Sequence, residues 1–190
     1  MDFKDLFAEK EIPDLFKTYV SEENFTYCIN CEKYLLDSGT NYMIEKVINK
    51  GNVEFEHAIC IDCAQELKTN MSEDSMTKVN EFFSTKFDEN KRITELLTKD
   101  EHSIDNWLDK CVISDENISD IEEYQIYAHC NGKNMVYSHL PFLISSKVLE
   151  NVNEMLSAKT KEELDNYMDK HFRLPPEWKE SFINKKVFII

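Results

Sequence analysis

The chain has 190 residues, of which 42% are hydrophobic, and its 12 Phe and 8 Tyr can supply a core for one large domain or two small ones. Its formal net charge of −15 argues against nucleic-acid binding, because affinity for the phosphate backbone comes from clustered Lys and Arg. The longest basic clusters, Lys91-Arg92 and Lys185-Lys186, are too short to form a groove-binding stripe.

The N-terminal sequence favours a soluble, cytoplasmic protein. Acidic residues stand where an export signal needs basic ones, and no apolar run reaches the roughly 18 to 20 residues of a membrane span. Cysteines stay reduced in the cytoplasm, so we expect paired cysteines to be metal ligands rather than disulfides.

The first predicted element is an N-terminal helical segment over residues 1–24. The segment is amphipathic, and Pro13 breaks it into two short helices. These helices are expected to pack on the domain that follows or to present an apolar face to another protein. The apolar residues are Leu6, Phe7, Ile12, Leu15, Phe16, Tyr19 and Val20.

Two cysteine pairs with metal-ligand spacing come next. Cys28 and Cys31 form one C-x2-C pair, and Cys60 and Cys63 form another after 28 intervening residues. Zinc prefers four thiolate or imidazole ligands in a tetrahedron, and each C-x2-C turn lets two sulfurs converge on one ion. We predict one structural zinc ion on these four cysteines. His57 is an alternative ligand, but with four thiols present we expect it to be a strand residue beside the site.

The interval between the cysteine pairs predicts a β-hairpin. Residues 42–48 and 53–59 are strand candidates, and residues 49–52 are a turn signal. A helix is expected to begin at or near Cys63, where its N-terminus stabilises a thiolate. Residues 25–71 resemble the treble-clef class of zinc finger. The resemblance lies in the turn that carries the first cysteine pair (the knuckle), the hairpin, the second cysteine pair and the helix. This class includes DNA readers, ubiquitin-pathway modules, ribosomal proteins and adaptors, so the resemblance implies an architecture and no activity.

A degenerate second copy of this pattern is predicted. Residues 111–172 repeat residues 28–87 at low identity, with matching turns and with helix-cap residues at a constant offset of 85. Amphipathic helices also share apolar spacings by chance, but the agreement of turns and caps favours a repeat. The matched caps are Ser72 with Ser157 and Ser75 with Thr160. The matched apolar residues are Ala64, Leu67, Met71, Val79, Phe82, Phe83 and Phe87 with Leu149, Val152, Leu156, Leu164, Tyr167, Met168 and Phe172.

The second copy is predicted to hold no metal. Only Cys111, at the position of Cys28, is a thiol, and one thiolate cannot hold a structural zinc. Apolar packing, with residues 142–144 among the fillers, is expected to replace metal ligation. The other three ligand positions, those of Cys31, Cys60 and Cys63, hold Ser114, Ser145 and Val148.

Two further cysteines, Cys111 and Cys130, allow three interpretations. They can pair across the second hairpin, join His129 or His139 in another metal site, or remain buried free thiols. The inferred compartment opposes a disulfide, and the histidines lack a dependable ligand spacing. Buried free thiols are therefore favoured.

The expected fold is α+β, with two tandem treble-clef-like repeats of which the first binds zinc. The predicted domains are the N-terminal helical segment at residues 1–24, a zinc-binding repeat at 25–100, and a metal-free repeat at 101–190. A short helix over residues 88–100 links the repeats, and residues 185–190 form a C-terminal strand.

Function is less constrained than fold. The preferred hypothesis is a noncatalytic zinc-stabilised interaction or scaffold protein that presents an acidic surface to a protein partner, with a basic partner the easiest to accommodate. A thiol redox protein that uses a C-x2-C pair is the alternative, and a nucleic-acid-binding zinc finger is a second alternative that the acidity disfavours. The sequence lacks a Gly-rich phosphate loop and the H-E-x-x-H and G-x-S-x-G motifs, so we assign no catalytic residue.

Overall fold

The computed structural model of the chain describes residues 8–98 and 103–172. The fold is α+β, and the described residues form one antiparallel sheet and six α-helices. The strands are β1 (Ala8–Glu11), β2 (Asn41–Asn49), β3 (Asn52–Cys60), β4 (Glu123–Asn131), β5 (Asn134–Tyr137) and β6 (Phe142–Ser145). The helices are α1 (Ile61–Asn70), α2 (Glu73–Lys86), α3 (Glu89–Thr98), α4 (Ile104–Trp107), α5 (Ser146–Met155) and α6 (Ala158–Phe172).

A long hairpin and a third strand form the middle of the sheet. Strands β2 and β3 pair antiparallel, as the spacing between the cysteine pairs predicts. At their turn, Lys50 and Gly51 have φ values of 48° and 79°, the left-handed conformation that suits a tight hairpin. Strand β4 pairs with the other edge of β2, giving the order β1-β5-β4-β2-β3, with β6 also on β4. The sheet therefore joins the two halves of the chain.

The two halves use the same strand register. Tyr42 of β2 is opposite Cys60, the last residue of β3, and Tyr124 of β4 is opposite Ser145, the last residue of β6. In each half the chain then enters a helix directly, α1 after β3 and α5 after β6. Cys60 and Ser145, which correspond in the predicted internal repeat, thus occupy the same place relative to sheet and helix.

Both faces of the sheet are covered. Every residue of β2 from position 42 to 48 is buried, although neighbouring residues point to opposite faces. On one face Lys46 forms an ion pair with Glu56 at 2.9 Å and donates a hydrogen bond to the carbonyl oxygen of Lys17. On the other face the ring of Phe55 contacts that of Phe172 in α6, with centroids 4.2 Å apart. N-terminal residues and helices thus lie on opposite sides.

The N-terminal segment differs from the helical prediction. Its described part begins with strand β1, in which Ala8 is opposite Tyr137 of β5, and only Asp14–Phe16 forms a short 3-10 helix. The difference arises because an edge strand obtains its backbone hydrogen bonds from a distant partner, which local periodicity cannot reveal. Ile12 and Phe16 are nevertheless fully buried, so the segment packs on the domain.

The structure describes only part of the predicted linker and C-terminal elements. Helix α3 lies within the predicted linker helix. The division near residue 100 stays a prediction, and the sheet crosses it. The expected C-terminal strand at residues 185–190 lies outside the described residues.

Candidate metal centre

The first cysteine pair lies in a knuckle fixed by backbone hydrogen bonds. The Cys28 amide donates to the Lys33 carbonyl, and the Glu32 amide donates to the Cys28 carbonyl, each at 2.9 Å. Glu32 has a φ of 61°, so the turn closes through a left-handed residue. Because the Ile29 amide also donates to the Ala58 carbonyl at 2.9 Å, the knuckle is attached to β3.

The second cysteine pair spans the junction of β3 and α1. Cys60 is the last strand residue and the N-cap of α1, and Cys63 lies in the first turn of the helix. The Cys60 backbone amide donates to the Cys28 sulfur at 3.3 Å. Knuckle and helix start therefore bring both pairs to one point, as the sequence predicts.

The four sulfurs form one cluster that can hold a metal ion. The Sγ atoms of Cys28, Cys31, Cys60 and Cys63 all lie within 4.8 Å of one another, and those of Cys31 and Cys60 are 3.8 Å apart. All four cysteines are free thiols, since a disulfide needs about 2.05 Å between sulfurs. Tetrahedral zinc with bonds of about 2.3 Å separates its sulfurs by about 3.8 Å, so the donor set fits this ion.

The direction of the pKa shift differs among the cysteines of the cluster. Burial raises the pKa values of Cys60 and Cys63. Burial also acts to raise the pKa of Cys28, but the backbone amides of Cys60, Cys31 and Asn30 outweigh it and bring that pKa below its usual value. Since thiolates are the metal-binding form, a dication supplies the charge that buried sulfurs require.

Helix α6 contacts the rim of the cluster. The Asn30 side-chain oxygen, inside the first C-x2-C turn, accepts hydrogen bonds from Lys170 Nζ at 2.9 Å and His171 Nε2 at 3.2 Å. Lys33 forms an ion pair with Asp62 at 3.3 Å across the two cysteine pairs. The end of the second half thus lies against the metal-binding turn of the first, a contact that the sequence does not reveal.

A second knuckle reproduces the first without its ligands. The Cys111 amide donates to the Glu116 carbonyl at 2.8 Å, and the Asp115 amide donates to the Cys111 carbonyl at 3.0 Å. Asp115 has a φ of 64°, close to that of Glu32. The Ser145 amide donates to the Cys111 sulfur at 3.4 Å, as the Cys60 amide does to Cys28.

The other candidate ligands lie elsewhere. His57 is buried on β3 with Nε2 3.9 Å from Glu45, and it does not belong to the sulfur cluster. Cys111 and Cys130 are both buried and free, and burial raises the pKa of Cys130 to about 12. Within residues 8–98 and 103–172, the four-cysteine group is the only cluster of three or more potential ligands.

Comparison with known proteins gives no relative: no protein-family model, curated protein or solved structure matches this chain. Across the part of the chain that the structure describes, no helix combines the length and apolarity needed to span a membrane.

Proposed function

We propose that this protein is a noncatalytic, zinc-stabilised scaffold whose role is to bind another protein. The observation that carries the proposal is the convergence of Cys28, Cys31, Cys60 and Cys63 on one point, without a disulfide. Four thiolates fill a tetrahedral zinc site and leave no open position for substrate, which is the pattern of a structural rather than a catalytic zinc.

The proposal includes two tandem treble-clef-like repeats, the second of which has no metal. The matching hydrogen bonds at Cys28 and Cys111 support it, as does the shared register of Cys60 and Ser145. In the second repeat, Leu143 and Ile144, which directly precede Ser145, are fully buried and supply apolar packing instead.

An acidic cleft at the start of α5 is the proposed partner site. The cleft has a volume of about 450 Å³. Its lining includes exposed Asp120, Glu122 and Glu150, with Lys147 as its basic residue. Ser145, which is 1% exposed, also lines the cleft, and its buried hydroxyl has no hydrogen-bond partner among the described residues. The three exposed carboxylates suit a Lys or Arg side chain of a basic partner, which can donate hydrogen bonds to them.

Charge reversal tests the partner site. We expect a fluorescein-labelled oligolysine peptide to bind the metal-loaded protein, and the Asp120→Lys/Glu150→Lys variant to bind it at least about tenfold more weakly. Glu81→Lys/Glu162→Lys, two exposed charge reversals on α2 and α6, is the control and should have a much smaller effect. Equal losses in both variants would indicate general charge attraction and contradict a site in the cleft. Double-stranded DNA at low salt should not bind.

Thiol redox chemistry remains a second candidate because Cys31 is exposed and its sulfur lies 3.8 Å from that of Cys60. In this reaction one thiolate would attack a substrate disulfide and release one thiolate, and the second cysteine would then release the other. The products would be a reduced substrate and a protein disulfide. Reduction of a small aromatic disulfide by metal-loaded protein, with loss of two protein thiols per turnover, would favour this candidate over the scaffold.

A further inference from the structure

A cavity of about 630 Å³ lies on the helix-covered face of the sheet, and its lining includes none of the four cysteines and no residue of the acidic cleft. Its lining comes from α1, the second half of α2, the start of α3, strands β2, β4 and β6, and the loop before β6. Its size is within the usual range of about 300–1,000 Å³ for ligand pockets. Apolar and aromatic side chains form much of its wall, including Met43, Ala64, Phe83, Phe87, Leu140 and Phe142.

At the corresponding positions of the second half of the chain, larger or more deeply buried side chains fill the space. Leu149 of α5 stands where Ala64 lies in α1, and both side chains are fully buried. Lys68 is exposed, whereas its counterpart Asn153 is only 7% exposed. Phe83, which is half-buried, corresponds to Met168, which is 4% exposed. A small residue at position 64 thus helps to leave room that the other half fills with its own side chains.

Two histidines give the apolar wall a specific polar character. His139 Nδ1 lies 2.6 Å from Glu89 Oε1, and His129 Nε2 lies 2.9 Å from Asn41 Oδ1. A carboxylate or amide oxygen accepts a hydrogen bond, so each of these ring nitrogens carries the proton. Burial lowers the pKa values of both histidines and keeps their rings neutral near pH 7. The other nitrogen of each ring is then a hydrogen-bond acceptor.

We propose that this cavity binds a small, neutral aromatic molecule that carries an N–H or O–H donor, such as an indole or a phenol. The aromatic wall suits a flat apolar body, and the imidazole acceptors of His129 and His139 suit its donor. Lys68 and Glu89 contribute opposite charges to the lining, so the site favours neither an anion nor a cation. This binding site is separate from the scaffold role and does not depend on it.

Indole and 1-methylindole are the probes for this site, because 1-methylindole carries a methyl group in place of the N–H hydrogen and so lacks the donor. We expect isothermal titration calorimetry of the metal-loaded protein to give saturable indole binding, with 1-methylindole binding about tenfold more weakly. Ala64→Leu, which copies the corresponding position of the second half, should weaken indole binding at least about tenfold. Ala158→Leu, the same change at an exposed position of α6, should leave it unchanged.

Three results would overturn the proposal. The first is a lack of saturable indole binding to the wild-type protein, and the second is unchanged binding to a folded Ala64→Leu variant. The third is an unaltered preference for indole over 1-methylindole in the His129→Phe/His139→Phe variant, which keeps aromatic rings but removes the acceptors. This last comparison decides the matter even if Ala64→Leu does not fold.

Discussion

Ser72 and Ser157, which are 85 positions apart in the sequence, place their hydroxyl oxygens 2.8 Å from each other at the starts of α2 and α6. Each serine amide is bound by the other half. The Ser72 amide donates to Thr160 Oγ1 at 2.9 Å, and the Ser157 amide donates to Ser75 Oγ at 2.8 Å. The two helix starts therefore cap one another through reciprocal hydrogen bonds.

This exchange predicts matched losses of stability from two distant substitutions. Ser75→Ala and Thr160→Val should each lower the free energy of unfolding by about 1–2 kcal/mol, because each leaves a partly buried amide of the other half without its acceptor. Urea denaturation of the metal-loaded variants measures the loss.

The double variant and a surface control test whether the two caps act as one unit. Ser75→Ala/Thr160→Val should deviate from additivity by at least about 0.5 kcal/mol, since both hydroxyls belong to one network. Ser84→Ala, at an exposed position on α2, should change stability by less than about 0.5 kcal/mol. Additive effects of the two cap variants would contradict a shared network.

The cap residues also show how much of the structure can be predicted from the sequence. The offset of 85 identifies Ser72, Ser75, Ser157 and Thr160 as cap residues, because capping is local chemistry with a short sequence pattern. It does not indicate that the caps are exchanged, since that depends on how the halves dock. The same limit explains β1, whose partner is more than a hundred residues away.

The sulfur site was predictable because ligand type and spacing encode it locally. The four cysteines lie together as their spacing predicts. The contact of Asn30 with Lys170 and His171, and the cavity beside Ala64, arise from packing between halves. No local pattern marks such features, because long-range packing alone creates them.

If the second knuckle is a metal site that has lost its ligands, three substitutions should restore it. Ser114→Cys/Ser145→Cys/Val148→Cys, together with the existing Cys111, would recreate the donor set on a backbone that keeps the same hydrogen bonds. We expect two zinc ions per chain by elemental analysis. A folded triple variant that still binds one ion would contradict the correspondence of the two knuckles.

Buried Arg92 is expected to be a major source of stability. Its guanidinium donates to the carbonyls of Trp107, His139 and Pro141 at 2.7–2.9 Å, and burial lowers its pKa to about 10. Arg92→Met should lower the free energy of unfolding by about 3 kcal/mol or more, because three carbonyls lose a charged donor. Urea denaturation checks this, and a loss below about 1 kcal/mol would contradict the role assigned to the guanidinium.

Stability should also depend on pH through His129 and His139. Burial lowers both pKa values below 6.5, although Glu9 near His129 and Glu89 near His139 oppose the shift and Arg92 reinforces it for His139. The folded state therefore binds fewer protons than the unfolded state just below pH 6.5. The contribution of the two histidines to stability is complete above pH 6.5 and is lost as the pH falls towards their folded-state pKa values.

Urea denaturation between pH 7.5 and 5.5 measures this dependence, with metal content checked at each pH. The His129→Gln/His139→Gln variant should show a shallower fall in stability than the wild-type protein, because its replacements do not titrate. Parallel curves for the two proteins would refute the assignment.

The most direct test of the account is the metal content of protein purified without added metal, combined with a thiol count before and after chelation under reducing conditions. We expect one zinc per chain, and four further thiols and a weakened fold when it is removed, because a structural zinc contributes about 10–16 kcal/mol. Cys60→Ser should lose the ion, whereas Cys111→Ser should keep it. A metal-free, folded protein with a reversible disulfide among Cys28, Cys31, Cys60 and Cys63 would contradict the structural zinc and make thiol redox chemistry the leading function.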